Sequence, residues 1–278
     1  DLIQLRELIE NNSSYKIPIV AKIEKPEAVA NIDKLTPYCD ALMCARGDLG
    51  VEVPMEQVPL IQKRLVLKAK KAHIPIIIAT QMMETMITNQ VPTRAEVNDV
   101  ANSIMDGADA VMLSGETSVG EYPLEVIKQM RKIIESVENS PLITIPDHYV
   151  QCVTERFISK TICHQAALMA NSINAEVITT LTASGYTAFQ ISSWRPKSNI
   201  LAFSSNRRIL AMLNLLWGVK GVYYDKFVST DQTIEDINNL AHEHGYLENG
   251  DYAINITSMP VKERGMANTM RITEYEKS

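Results

Sequence analysis

The amino-acid sequence predicts an α/β protein: half of a (β/α)8 barrel, four βα units over residues 1–140, followed by a smaller parallel-rich α/β domain over residues 141–278. Three observations predict it. Short, continuous apolar runs recur and each ends abruptly in polar residues, the pattern of parallel strands covered on both faces. Amphipathic helical stripes fill the intervals between the runs. A proline-bounded stretch, Asn139 to Pro146, separates two such alternations. With 278 residues, 46% of them hydrophobic, the chain can bury two ordinary cores.

Leu2 to Ile9 carries a helical stripe and stops at the turn residues Asn11 to Ser14. No strand precedes this helix in the sequence, so the alternation reads as begun upstream and the chain is expected to be a fragment. Ile17 to Glu24 is the first strand run. Side chains two apart share a face of a strand, so Lys22 and Glu24 point the same way at its carboxyl end, where α/β folds place their chemistry. An ammonium beside a carboxylate there either suits an anionic substrate and a metal or closes the strand as a plain ion pair. Ala41 to Ala45 is the second run, ending in Arg46-Gly47-Asp48-Leu49-Gly50. The glycines let a ligand approach the backbone, and Asp48 offers a hard oxygen to a divalent cation; a tight βα turn would use the same residues.

Pro59 opens a helix that runs to Lys71, with His73 at its end in a helix-terminus or surface role. Ile74 to Ala79 is the third strand, and Thr80 after it either contacts a substrate or caps the following turn. Thr93-Arg94-Ala95-Glu96 is a capping box; Val97, Val100, Ala101, Ile104 and Met105 follow at helical spacing, and Gly107 stops the helix. Ala110 to Leu113 is the fourth strand, ending Ser114-Gly115-Glu116-Thr117, and Pro123 begins the next helix. Parallel βα units bring such strand ends together, so Lys22, Glu24, Gly47, Asp48, Thr80, Ser114 and Glu116 are expected to line one mouth.

In the second alternation, a helix is expected over Tyr149 to Ser172, with His164 in a packing or solvent role. Strands follow at Glu176–Thr182, Asn199–Phe203, Gly221–Tyr224 and Tyr252–Ile256, interleaved with helices at Tyr186–Ser193, Arg207–Leu216 and Thr233–His244. Thr269 to Thr273 reads as a final edge strand, open to an antiparallel pairing. The hydroxyl-rich turn Thr182-Ala183-Ser184-Gly185-Tyr186-Thr187 suits an anion or serves as ordinary N-capping. Trp194, Arg195, Trp217 and the Lys262-Glu263-Arg264-Gly265 loop either complete such a site or are packing and surface residues.

Composition excludes several classes. A net charge of -6 with no long basic run gives no footprint for nucleic acid, and Lys68, Lys70 and Lys71 read as one solvated helix face. The four cysteines lack CxxC or zinc-finger spacing, and no signal peptide or run of 18 apolar residues occurs. A reduced, cytoplasmic protein with no membrane association is expected.

Five ordered stretches, Ile-Val-Ala-Lys-Ile-Glu-Lys-Pro-Glu-Ala-Val, Ala-Arg-Gly-Asp-Leu-Gly-Val-Glu, Ala-Thr-Gln-Met-Met-Glu, Pro-Thr-Arg-Ala-Glu and Met-Leu-Ser-Gly-Glu-Thr, resemble pyruvate kinase. The resemblance covers nearly the whole chain and begins after the family's fourth barrel strand. It implies the carboxyl-terminal part of the enzyme, without the amino-terminal half-barrel and lid domain, and therefore a chain inactive alone. By this resemblance Lys22 matches the lysine that stabilises the phosphoryl group in flight, and Glu24 and Asp48 match the carboxylates that bind Mg2+ (or Mn2+). Gly47 and Asp48 offer backbone N–H groups to the substrate carboxylate, Thr80 stands beside the carbon protonated as enolpyruvate becomes pyruvate, and Ser114 and Glu116 lie near that proton path. The implied reaction passes a phosphoryl group from phosphoenolpyruvate to ADP, giving pyruvate and ATP. K+ is implied too, with ligands outside this chain, as is a homo-oligomer, a tetramer in the intact family. Thr182, Ser184, Gly185 and Thr187 match a loop that grips the phosphate of an allosteric effector, although Ala183 and Tyr186 stand where fructose bisphosphate binders often carry a basic residue. Two other readings fit the residues: a different Mg2+-dependent enolpyruvate or aldolase-type barrel, and a ligand-binding regulatory module without catalysis.

Overall fold

The computed structural model describes residues 1–141, 156–226, 229–259 and 266–276. The chain divides into two compact units, Asp1–Thr144 and Ile145–Ser278.

In the first unit the helix α1 (Leu2–Asn12) precedes strand β1 (Val20–Ile23), short helices α2 (Pro26–Ala30) and α3 (Ile32–Leu35), and β2 (Ala41–Ala45). Then come α4 (Arg46–Glu52), α5 (Val58–Ala72), β3 (Ile76–Ala79), α6 (Arg94–Asp106), β4 (Ala110–Met112), α7 (Gly115–Ser118) and α8 (Pro123–Glu138). The strands form a 4-stranded sheet in the order β1-β2-β3-β4, each neighbour parallel. Sequential order with a helix in each crossover is the topology of half a βα barrel, as the sequence predicts.

Strand β1 is shorter than its apolar run for a local reason. Pro18 has no N–H to donate, and the Ile19 N–H donates to the Asp40 carboxylate at 2.8 Å rather than to a neighbouring strand. Within β1 burial alternates: Ala21 and Ile23 are buried, while Val20 and Lys22 are exposed on the opposite face. Register carries that second face across the sheet, since Lys22 pairs with Met43, Met43 with Ile77 and Ile77 with Ala110. The helix-covered face is the core. Ile23, Ile32, Leu42, Leu49, Leu65, Ile76 and Ile78 are essentially inaccessible, and each such side chain stabilises the fold by about 1.5–3 kcal/mol relative to exposure.

Helix ends follow the sequence closely. Thr93 accepts from the Glu96 N–H while the Glu96 carboxylate accepts from the Thr93 N–H, so both arms of the capping box are made. Gly107, at φ 99°, ends α6 in the left-handed conformation. His73 ends α5 at φ 55°, and Pro123 opens α8 at a first-turn position. One departure matters for the site: the Arg46-Gly47-Asp48 stretch is not a turn but the first turn of α4, entered directly from β2.

The second unit runs α9 (Phe157–Ile173), β5 (Val177–Leu181), α10 (Tyr186–Ser193), β6 (Asn199–Ser204), α11 (Arg207–Leu213), β7 (Val219–Tyr223), α12 (Thr230–Glu243), β8 (Tyr252–Thr257) and β9 (Thr269–Glu274). Its 5-stranded sheet has the order β7-β6-β5-β8-β9. All pairs are parallel except β8 with the edge strand β9, which is antiparallel. Helix α11 stops at Leu213, three residues before the apolar pattern runs out, and α12 starts earlier than its stripe because Ser229 caps it through the Gln232 N–H. The linker expected over 139–146, the start of the helix expected from Tyr149, and the Lys262–Gly265 loop lie wholly or largely outside the described residues. No helix among the described residues is long and apolar enough to cross a membrane.

Candidate active site and effector pocket

The period-two argument places Lys22 and Glu24 on one face at the end of β1, and the β2–α4 junction brings Asp48 to them. Lys22 Nζ lies 2.7 Å from a Glu24 oxygen and 2.7 Å from a Asp48 oxygen. All three side chains remain substantially open to solvent. The hydrogen bonds to Asp48 and then Glu24 raise the Lys22 ammonium above its ordinary range, and the bond from Lys22 holds the Asp48 carboxyl below its own. The cluster is therefore an ammonium locked in its charged form between two anionic carboxylates.

The remaining predicted residues join this cluster by hydrogen bonds. The Gly47 N–H, next to Asp48, donates to Thr80 Oγ1 at 2.8 Å. A side chain at position 47 would crowd that contact, because an added Cβ lies 3.3 Å from the same oxygen. The Thr80 hydroxyl in turn donates to the Ala79 carbonyl at 2.6 Å. Beyond Thr80, the Met83 N–H donates to the Glu116 carboxylate at 3.3 Å, and that carboxylate also accepts from the Ser114 N–H at 2.7 Å. All seven predicted strand-end residues thus belong to one connected set. Their states differ, however. The Gly47 N–H, expected to face a substrate carboxylate, is spent on Thr80, and Glu116 is buried at 3% exposure with its oxygens spent on backbone N–H groups.

Arg46 was not singled out by the sequence reading and proves central. It is 9% exposed, and one Nη donates to Asp99 at 2.6 Å while the other donates to the Thr80 carbonyl at 2.7 Å. Thr80 and Gln81 hold φ 70° and 55°, a left-handed conformation that costs a β-branched residue strain and that persists where surroundings over-determine it. The Arg46 bond to the Thr80 carbonyl is one such constraint. The only sequence signal was a charged residue directly after a fully apolar strand.

For a divalent cation, the geometry offers two carboxylate oxygens directed at one positive centre, which the Lys22 ammonium now occupies. Hard oxygens in that number fit Mg2+, which takes one or two protein carboxylates and completes its shell with water and substrate. No group of three or more His, Cys, Asp and Glu side chains able to hold a metal occurs among the described residues.

In the second unit, the Thr182–Thr187 turn lines a cavity of about 900 Å3. Its wall includes the ends of β5 and β6 and the starts of α10 and α11. The Gly185 N–H donates to Thr182 Oγ1 at 2.9 Å, the Tyr186 N–H donates to Ser184 Oγ at 3.4 Å, and the Thr187 hydroxyl is bonded to that of Thr180 at 2.7 Å. Gly185 sits at φ 81°, where an added Cβ would meet Ile209, Leu213 and Phe189 at 3.3 Å each. Trp194 stacks on His164 with ring centroids 3.9 Å apart, and Arg195 lies over Trp217, so these residues are in packing contacts.

A half-barrel with a charged cluster at its strand ends, followed by an α/β unit with a pocket at its own strand ends, defines a two-domain α/β protein of the barrel-enzyme class. Comparison narrows it. The pyruvate kinase barrel-domain model matches residues 1–127, and the pyruvate kinase alpha/beta-domain model matches residues 160–273. The chain belongs to the pyruvate kinase family. It is 40% identical over 276 residues to the pyruvate kinase of Geobacillus stearothermophilus, covering 98% of this chain and 46% of that protein. It is 37% identical over 286 residues to that of Clostridium acetobutylicum, covering 99% and 58%. The crystal structure of a Cryptosporidium parvum pyruvate kinase superposes with a TM-score of 0.87 at 32% identity, over 98% of this chain and 56% of that one. The chain spans about half the length of the curated relatives it matches.

Proposed function

We propose that this chain carries the lysine and metal-binding part of a pyruvate kinase active site, for phosphoryl transfer from phosphoenolpyruvate to ADP, together with an effector-binding domain. The observation that carries the proposal is the Lys22 ammonium held 2.7 Å from both Glu24 and Asp48, with Gly47 linking Asp48 to Thr80. Phosphoryl transfer asks for positioning and charge stabilisation more than for covalent help. Lys22, kept protonated by its neighbours, supplies a fixed positive charge to the phosphoryl group as it moves. Glu24 and Asp48 would hold Mg2+ or Mn2+, which when bound neutralises charge on substrate oxygens. Thr80, its hydroxyl fixed by Gly47 and Ala79, is placed to direct a proton at the enolpyruvate carbon. Ser114 and Glu116 support the loop that follows Thr80.

In the second unit, Thr182, Ser184, Gly185 and Thr187 form the proposed effector loop, at the edge of the cavity. Activity further calls on K+, on a homo-oligomer and on the cytoplasm, where glycolytic substrates are found. The chain alone is proposed to lack turnover.

The test is a lactate-dehydrogenase-coupled assay on the chain joined to the amino-terminal half of the Geobacillus stearothermophilus relative. Pyruvate formation that needs phosphoenolpyruvate, ADP and a divalent cation, and that disappears with Lys22→Met, supports the proposal. A folded chimera whose turnover is unaffected by Lys22→Met overturns it.

A further inference from the structure

The hydroxyl loop of the second unit contains no cation between residues 182 and 187, and its own amides at Gly185 and Tyr186 are already donated to Thr182 and Ser184. A dianion bound by hydroxyls alone would lack charge-assisted partners, which are roughly twice as strong as neutral ones. The cavity supplies the missing charge from elsewhere in the chain. Arg156, just before α9, places its guanidinium 4.4 Å from the centroid of the Tyr186 ring, beside the loop. Arg207, at the start of α11, lies 4.5 Å from the Tyr223 ring centroid. Both arginines line the cavity.

What holds these arginines is as informative as where they are. The cavity's Lys226 pairs with Asp236 at 3.1 Å, and Asp225 accepts from the Tyr223 hydroxyl at 3.0 Å. Arg156 and Arg207 rest on aromatic faces and have no carboxylate within ion-pair distance among the described residues. A guanidinium stacked on a ring keeps its N–H donors in the plane, pointing past the ring edge, and loses little of its charge to the contact. That is the geometry for a bidentate grip on a planar or tetrahedral oxyanion.

Resting on the effector reading given above, we infer that the cavity selects a small phosphomonoester, with Arg156 supplying the charge that the Thr182–Thr187 loop lacks and Arg207 adding a second cationic wall. The hydroxyls of Thr182 and Ser184 orient the phosphate, and the arginines carry its affinity. The phosphomonoester could belong to a sugar phosphate or to a nucleoside monophosphate, because both present the same dianion.

Isothermal titration calorimetry on the full 278-residue chain tests this with ribose 5-phosphate, AMP, ribose and inorganic phosphate. Circular dichroism of each variant establishes that it is folded. One or both phosphomonoesters should bind, more weakly as salt is raised, and ribose should not; the tighter of the two names the source. Arg156→Gln should weaken that binding by about tenfold to a hundredfold, the loss expected for one charge-assisted contact, and Arg207→Gln by less. Lys220→Gln, on β7, should leave it unchanged. If neither phosphomonoester binds, the effector reading and the inference both fall. If binding is present but Arg156→Gln leaves it intact in a folded protein, the effector reading stands and the arginine assignment is overturned.

Discussion

The two units manage charge in opposite ways at equivalent places, the carboxyl ends of parallel strands. At the end of β1, every charge has an opposite partner: Lys22 sits between Glu24 and Asp48, and Arg46 is neutralised by Asp99. At the ends of β5 and β6, Arg156 and Arg207 are held by aromatic rings instead of carboxylates. The first arrangement is a resting network in which a ligand must exchange partners, so a cation entering between the carboxylates displaces the ammonium toward a substrate. The second keeps its positive charge unspent and ready for an anion. Catalytic placement calls for groups fixed by one another, whereas an effector site gains affinity by meeting an uncompensated charge.

The comparison breaks most visibly at Lys22. In the chimera described above, Lys22→Met should lower kcat on the order of a thousandfold, as loss of a preorganised transition-state charge does, with a far smaller change in the KM for phosphoenolpyruvate. A pure KM effect would make Lys22 a ground-state binding residue, closer in kind to the second unit's arginines.

A smaller effect should fall on the other unit alone. Gly185→Ala forces a side chain into a left-handed position with neighbours at 3.3 Å, and should destabilise the second unit by about 1–2 kcal/mol. Differential scanning calorimetry checks whether one transition shifts while the other holds. Two transitions that move equally would contradict the treatment of the pocket loop as local to its unit.

The mildest perturbation is in the capping box. Thr93→Ala should cost about 1 kcal/mol through loss of the cap, measurable by urea denaturation. Its partner Glu96 has a pH signature. Burial favours its neutral form, but hydrogen bonds from Thr85 and Thr93 outweigh that and hold the carboxyl below its ordinary range. The stabilisation is therefore present above the pH at which an unfolded glutamate ionises, about 4.3, and is lost as pH falls through the lower folded value. Glu96→Gln should flatten that part of the acid limb; an unchanged limb would show that the carboxylate is not linked to folding.

Local patterns in the sequence made much of this visible. The Thr93–Glu96 box, the bounds of α10 and the edge strand β9 follow from spacing and turn chemistry that act within a few residues. The pairing of Lys22 with Glu24 follows from the two-residue period of a strand, and the family resemblance brought Asp48 and Thr80 to them. What was not legible depends on contacts distant in sequence. Arg46 reaches Thr80 across 34 positions and Asp99 across 53, and no periodicity encodes such a contact. The left-handed backbone at Thr80 and Gln81 runs against the preferences of both residues, so only the tertiary structure could reveal it. Arg156 lies apart from the loop it serves, and the loop by itself looked poor in charge.

The account rests on Glu24 and Asp48 being a cation site now filled by an ammonium, and Mn2+ titration of the chain followed by water-proton relaxation tests it most directly. Asp48→Ala should weaken Mn2+ binding by about tenfold or more, given that losing even an outer-shell partner of a metal costs 10–100-fold. Lys22→Met, by removing the competing ammonium, should tighten it, and Glu52→Ala on the same helix should change nothing. Mn2+ affinity that is equal in the wild type, Asp48→Ala and Lys22→Met would show that the three charges are only an ion-pair cluster, and would contradict the proposed site.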